Sequence, residues 1–179
     1  MSASEITRQA IITSTKALAC SKPFQKVSVT EIVQRCGINR NTFYYYFTDK
    51  YDVITSIFNQ ELLPILETEK SSRSLAENVT ALCARMHREQ GLYESLLADT
   101  GSRCFQTLLV DYYKGFLIGL AADRFEAFRV AGRDQEIAAR FYAHGTVGMI
   151  CDWAARDMRM DSAFATEIIQ LSAREKFFV

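Results

Sequence analysis

The sequence predicts an all-α protein, on three observations. Proline occurs at only two positions, Pro23 and Pro64, in 179 residues. Runs of alternating Val, Ile and Thr, the pattern of a half-buried strand, are missing. Apolar residues recur instead at three- and four-residue intervals along most of the chain.

The first helix is expected from about Ser4 to Cys20, with Ile6, Ala10, Thr13, Ala17 and Leu18 near one face. Ser21-Lys22-Pro23 ends it, because proline cannot continue the hydrogen-bond ladder. Ser28 caps a second helix, and Glu31 three residues on completes a capping box. Gly37 closes that helix in the left-handed conformation a tight exit requires. Asn39 caps a third helix running to about Phe47. Asp49 caps a fourth through Leu66, which Pro64 ends or bends. Further helices are expected over about 75–88, 93–98, 104–128, 134–158 and 162–176, with turns after Gly101 and at Ala131-Gly132-Arg133.

Composition excludes several classes. Apolar residues make up 49% and charged residues 23%, a globular and not a disordered balance. The longest stretch free of Asp, Glu, Lys and Arg, Phe141 to Cys151, is far too short to span a bilayer. The N-terminus has no apolar segment behind a basic start, so no secretory signal is expected. Cys20, Cys36, Cys83, Cys104 and Cys151 are dispersed and odd in number; they read as free thiols of a cytoplasmic protein, each most simply a small buried hydrophobe. Net charge is zero, but residues 1–60 hold seven basic against four acidic residues, a net of +3, and residues 61–179 a net of −3. The basic excess lies with the second and third helices.

Those helices carry the functional information. In VSVTEIVQRCGINRNTFYYYFTDKYD, from Val27 to Asp52, a short capped helix, a glycine turn and a second short helix follow in order. A helix-turn-helix places its second helix in the major groove and holds it there by phosphate contacts. Phe43 and Phe47, four apart, form the core face, with Ile38 packing toward them. The opposite face presents Arg40, Asn41, Tyr44 and Tyr45. Arg pairs with O6 and N7 of guanine and Asn with N6 and N7 of adenine. A tyrosine ring suits a thymine methyl and its hydroxyl a phosphate. Thr42 and Tyr46 flank this face within reach of backbone oxygens, and Ser28, Thr30 and Lys50 stand at helix starts that attract anions. A purely hydrophobic reading of FYYYF explains the two phenylalanines but not three polar aromatics beside Arg-Asn.

The stretch SVTEIVQRCGINRNTFYYYFTDKYDVI resembles the DNA-binding signature of TetR-type bacterial regulators. The resemblance implies an N-terminal three-helix DNA-binding domain, residues 1–50, and a C-terminal helical domain, residues 51–179, that binds an effector and forms a homodimer. By position, Arg40, Asn41 and Tyr45 become base contacts with Thr30 beside them, and Ser28, Thr42, Tyr44, Tyr46 and Lys50 phosphate contacts. The family often has a small residue where this chain has Asn41. The wording CGINRNTFYYYFTDKYD is similar to the branch that includes the dihydroxyacetone-kinase activator, whose members can take their signal from a protein partner.

The C-terminal half is less specific. Small Ala138, Gly145 and Gly148 between Phe141, Met149 and Trp153, with Phe164, Ile168 and Leu171 on the last helix, suit a face that doubles into a four-helix bundle. Phe141, Gly145, Gly148, Phe164, Ile168 and Leu171 are the expected dimer residues; the alternative is packing inside one subunit. Gly115 and Gly119 suggest a close helix contact. For an effector pocket, Phe105, Leu109 and Tyr113 on one helix, with His144 facing them, are candidates, although such an aromatic stripe is more often plain core. His144 is expected to be a buried, hydrogen-bonded side chain. The two histidines, His87 and His144, lack metal-ligand spacing, and no GxGxxG, Walker or GxSxG motif occurs, so neither a metal, a cofactor nor an enzyme is expected. Three functions compete: a dimeric regulator of a double-stranded DNA operator that answers to a small molecule or a protein co-regulator, an enzyme, and an interaction adaptor that no longer binds DNA.

Overall fold

A computed structural model describes residues 2–67, 74–101, 105–123 and 133–159. The secondary structure of the described residues is helical: α1 (Ala3–Ser21), α2 (Val29–Cys36), α3 (Arg40–Tyr46), α4 (Lys50–Ile57), α5 (Leu63–Glu67), α6 (Leu75–His87), α7 (Gln90–Leu97), α8 (Phe105–Asp123) and α9 (Arg133–Ala154). The predicted helix at 162–176, with Phe164, Ile168 and Leu171, lies outside them, as does Cys104.

Local chemistry sets the helix starts. Ser2 with Glu5, Ser28 with Glu31 and Ser74 with Glu77 each form a full capping box, satisfying amide groups that have no partner inside the helix. The α1 face differs from the expected one. Ile6 is 57% exposed and Thr13 is exposed, while Ile11, Ile12, Ser14, Thr15 and Ala19 are buried. The reason is that α1 is packed on two sides, against α2 and α4 and against α7, which turns adjacent residues inward together. The buried Thr15 hydroxyl donates to the Ile11 carbonyl at 2.8 Å, so its burial leaves no orphan.

Pro64 does not end the fourth helix. Between α4 and α5 the run widens into a π turn, Phe58–Leu62, in which the Leu63 amide reaches back to the Phe58 carbonyl. Proline has no amide hydrogen and its ring collides with the carbonyl four residues earlier in a regular helix. The wider turn relieves that collision and keeps the helical run unbroken from Lys50 to Glu67. Four charged side chains join this run to its neighbours. Lys16 of α1 meets Glu61 at 2.7 Å and Glu89 at 2.6 Å, and Arg85 of α6 meets the same two carboxylates at 2.6 and 2.8 Å. Burial alone raises the Glu89 pKa, but hydrogen bonds from Lys16 and Arg85 outweigh it and hold the carboxyl below its ordinary value.

The core is continuous from Ile32 and Phe43 in the N-terminal helices to Ile150 and Trp153 at the end of α9. α8 and α9 pack side by side, and α7 touches both as well as α1 and α6. Among the described residues Gly115 and Gly119 make no close helix contact, since a Cβ at either meets nothing within 4 Å. Cys83 is buried and burial pushes its thiol pKa well up, whereas Cys36 and Cys151 are half-buried and Cys20 is exposed, unlike the small buried hydrophobe expected there. Among the described residues no helix is long and apolar enough to cross a membrane, and no group of three or more His, Cys, Asp and Glu can hold a metal ion.

Candidate nucleic-acid interface

The helix-turn-helix is built by short-range bonds. The Ser28 hydroxyl accepts from the Glu31 amide and donates to Glu31 Oε2 at 2.8 Å, while the Glu31 carboxylate accepts from the Ser28 amide at 3.0 Å. The Glu31 carboxyl is held down to about 2 by its bond from Lys22, with help from the Ser28 hydroxyl and amide. Gly37 leaves α2 at φ 69°, where a side chain is strained. The Asn39 side chain accepts from the Thr42 amide at 2.8 Å and from the Thr42 hydroxyl at 3.1 Å, starting α3.

α3 then divides as its spacing requires. Phe43 and Phe47 are buried, their rings 5.9 Å apart, and Ile38 is half-buried beside them. Arg40 and Asn41 are exposed, as are Tyr44 at 51% and Tyr45 at 80%. Edge-to-face contacts brace the exposed rings: Tyr44 stands on Phe43 at 5.5 Å and Tyr45 on Tyr46 at 5.0 Å. A seven-residue helix thus shows a guanidinium, an amide and two fixed phenols on one side, anchored by two phenylalanines on the other.

The expected phosphate contacts fare unequally. Thr30 and Tyr44 are exposed. Tyr46 is half-buried, and the hydroxyls of Ser28 and Thr42 are engaged in the two caps. Lys50 departs most from expectation. Its ammonium donates to the carbonyl oxygens of Phe24, Gln25 and Val27, each at 2.9 Å, and lies 4.7 Å from the Phe24 ring centre. An ammonium has three protons, so the geometry makes Lys50 a clamp on the turn between α1 and α2 and not an open cation at a helix start. Burial lowers its pKa, with the Asp99 carboxylate pulling the other way. Sequence gave no sign of this, because the clamped turn lies 23 to 26 residues away.

In the C-terminal half, Phe105, Leu109 and Tyr113 are all buried. Near them the Asn78 amide and the Tyr112 hydroxyl both donate to the Leu66 carbonyl, at 3.0 and 2.8 Å, closing the end of α5. The Tyr113 hydroxyl and Asn78 Oδ1 are buried without a hydrogen-bond partner, and burial pushes the Tyr113 pKa well up. His144 does not join this group: it is exposed on α9, neither buried nor facing Tyr113. It shares an exposed face with Ile137, Phe141, Gly145 and Gly148, in which Phe141 is 71% and Ile137 50% exposed. Among the described residues a Cβ at Gly145 or Gly148 meets nothing within 4 Å.

Comparison with known proteins agrees with this geometry. Residues 11–57 match the family model of bacterial regulatory proteins of the tetR family, and residues 73–174 match that of a transcriptional regulator C-terminal region. The chain is 25% identical over 96 residues to the HTH-type dhaKLM operon transcriptional activator DhaS of Lactococcus lactis subsp. lactis (strain IL1403), a match covering 54% of this chain and about half, 51%, of that relative's length. Among solved structures it resembles a dihydroxyacetone kinase operon activator DhaS at a TM-score of 0.59, covering 97% and 98% of the two chains. It also resembles NalD of Pseudomonas aeruginosa, described as the secondary repressor of the MexAB-OprM multidrug efflux pump, at a TM-score of 0.61 with 97% of each chain covered. A third likeness is RolR in complex with resorcinol, at a TM-score of 0.53 with 96% and 95% covered. Each of the three is 20% identical to this chain, a level that speaks for the fold. The fold, the helix-turn-helix and the two family matches together make this chain a member of the TetR family of bacterial transcriptional regulators.

Proposed function

We propose that the protein acts in the cytoplasm as a homodimer on a palindromic operator, with its DNA affinity switched by an effector in residues 51–179. Residues 1–50 form the DNA-reading unit in this proposal. The observation that carries it is the two-sided α3: Phe43 and Phe47 fixed in the core, and Arg40, Asn41, Tyr44 and Tyr45 exposed together. Arg40, Asn41 and Tyr45, with Thr30, read base edges; Tyr44 and Tyr46 reach phosphates, and Ser28 and Thr42 do so when their single hydroxyl protons turn from Glu31 and Asn39 to a phosphate oxygen. The exposed α9 face, with Phe141 at its centre and glycines open beside it, supports pairing with a second copy. The effector acts by population shift, favouring a dimer whose reading heads no longer match half-sites one helical turn, ~34 Å, apart.

The buried Tyr113 hydroxyl and Asn78 Oδ1, both without partners, support a small neutral effector that hydrogen-bonds near Phe105, Leu109 and Tyr113. A second reading, a transcriptional activator that answers to a protein partner, is favoured by the match to an operon activator. Selection of bound sequences from a random duplex pool tests the proposal. An enriched inverted repeat supports a dimeric reader without a partner. Enrichment only after a co-regulator is added supports the second reading, and no enrichment under either condition overturns both.

A further inference from the structure

The turn between α1 and α2 is held from outside the reading unit as well as from within it. The Ser95 hydroxyl, on α7, accepts from the Phe24 amide at 2.9 Å and donates to the Lys22 carbonyl at 3.1 Å. Asp99, just past α7 and 2% exposed, accepts from the Gln25 side chain at 3.2 Å and from the Gly101 amide at 3.0 Å. Its other carboxylate oxygen has no hydrogen-bond partner. From the start of α4, Lys50 grips the carbonyls of Phe24, Gln25 and Val27. The backbone at residues 22–27 is therefore held by both α7 and α4, and Ser28, the first residue after it, caps α2.

We propose that Ser95 and Asp99 are positioning residues for DNA binding: α7 sets the angle at which α2, and α3 behind it, meet the duplex. This rests on the regulator reading above and adds a route to it. α7 packs against α8 and α9 as well as α1, and the Tyr93 ring of α7 lies 5.7 Å from the Phe105 ring of α8. A displacement at Phe105 is thus passed through Tyr93 to the same short helix that carries Ser95. The route is separate from α4, which reaches the turn through Lys50 and through Tyr51, whose ring stands edge-on to that of Phe24 at 5.5 Å. Contact alone does not establish coupling, so the test separates aim from stability.

Ser95→Ala and Asp99→Ala in the full chain each remove hydrogen bonds to the turn. Val79→Ala, in the buried face of α6, serves as a control that destabilises without touching it. Amide hydrogen exchange is measured first. Ser95→Ala and Asp99→Ala are expected to speed exchange over residues 22–36 selectively, and Val79→Ala is not. Affinity for the duplex enriched by the unmodified protein is then measured at a temperature where all variants are folded. A fall of about fivefold or more is expected for both turn variants, with the salt dependence unchanged because no phosphate contact is removed. Val79→Ala is expected to bind as the unmodified protein does, and Ser95→Thr, which keeps the hydroxyl, to restore binding. Unchanged exchange over residues 22–36, or equal affinity losses in Val79→Ala and the turn variants, overturns the inference. If the unmodified protein enriches no duplex under any condition, the regulator reading fails, while hydrogen exchange still decides whether α7 holds the turn.

Discussion

Arg40 and Lys50 are both cations of the reading unit, yet their surroundings assign them opposite work. Arg40 is exposed in the first turn of α3. Arg40→Ala is expected to reduce binding to the enriched operator by ~1–3 kcal/mol and to relax preference at one base position. The thermal midpoint should not move, because the side chain supports nothing in the core. Unaltered affinity and base preference in a duplex titration would show that Arg40 is not a reader. Lys50→Met removes a clamp instead, leaving three carbonyl oxygens without their common donor. It is expected to lower unfolding stability by ~1–3 kcal/mol and to weaken binding without altering the salt slope. Loss of a phosphate contact would lower that slope by about one. A slope reduced by that amount, with the urea midpoint unmoved, would return Lys50 to the phosphate role that the sequence suggests.

At the scale of elements, the chain ends its helices by local rules, and these were the most legible part of the sequence. Ser28 with Glu31, Gly37 and Asn39 all lie where their chemistry places them. Gly37 has φ 69° and a Cβ there meets nothing within 4 Å, so a side chain would meet backbone strain and no clash. Gly37→Ala is expected to cost about 1–2 kcal/mol, read as a lower urea midpoint; an unchanged midpoint would mean that the turn relaxes freely. The α2 cap also carries a pH signature. The folded Glu31 carboxyl lies at about 2, below its ordinary 4.5, so its contribution is complete above about pH 4.5 and lost as pH falls toward 2. A side-chain NMR titration finding Glu31 at its ordinary value would remove that contribution. What the sequence did not disclose has a common physical cause. The buried face of α1 is set by two partners, and one-sided periodicity cannot describe a helix packed on two sides. The π turn before Pro64 depends on the helix continuing, which proline alone argues against. The clamps on the α1–α2 turn join residues 71 to 74 positions apart for Ser95 and Asp99, and polar pairs at that distance leave no spacing to read. The exposed side of α3 was legible because Phe43 and Phe47 fix its orientation from within one short helix.

At the scale of the whole molecule, charge and exposed apolar surface argue for pairing. Net charge is zero and the first sixty residues carry only +3, so a single head neutralises few phosphates and binds weakly. Two heads double those contacts and fix a half-site spacing. Among the described residues, a surface that suits pairing is the α9 face where Ile137, Phe141, His144, Gly145 and Gly148 are exposed together. A phenylalanine 71% exposed beside two open glycines is poorly placed for water and well placed for a facing helix, which the glycines let approach closely. Phe141→Glu tests this with little expected harm to the fold, since the side chain is largely exposed. Sedimentation should show the unmodified protein as a dimer and the variant as a folded monomer with the same helical content. Binding to the inverted repeat should fall steeply, while binding to an isolated half-site should remain as weak as for one head of the unmodified protein. A variant that still sediments as a dimer would move the interface away from this face. A monomer that still binds the inverted repeat at full strength would break the link between pairing and operator recognition.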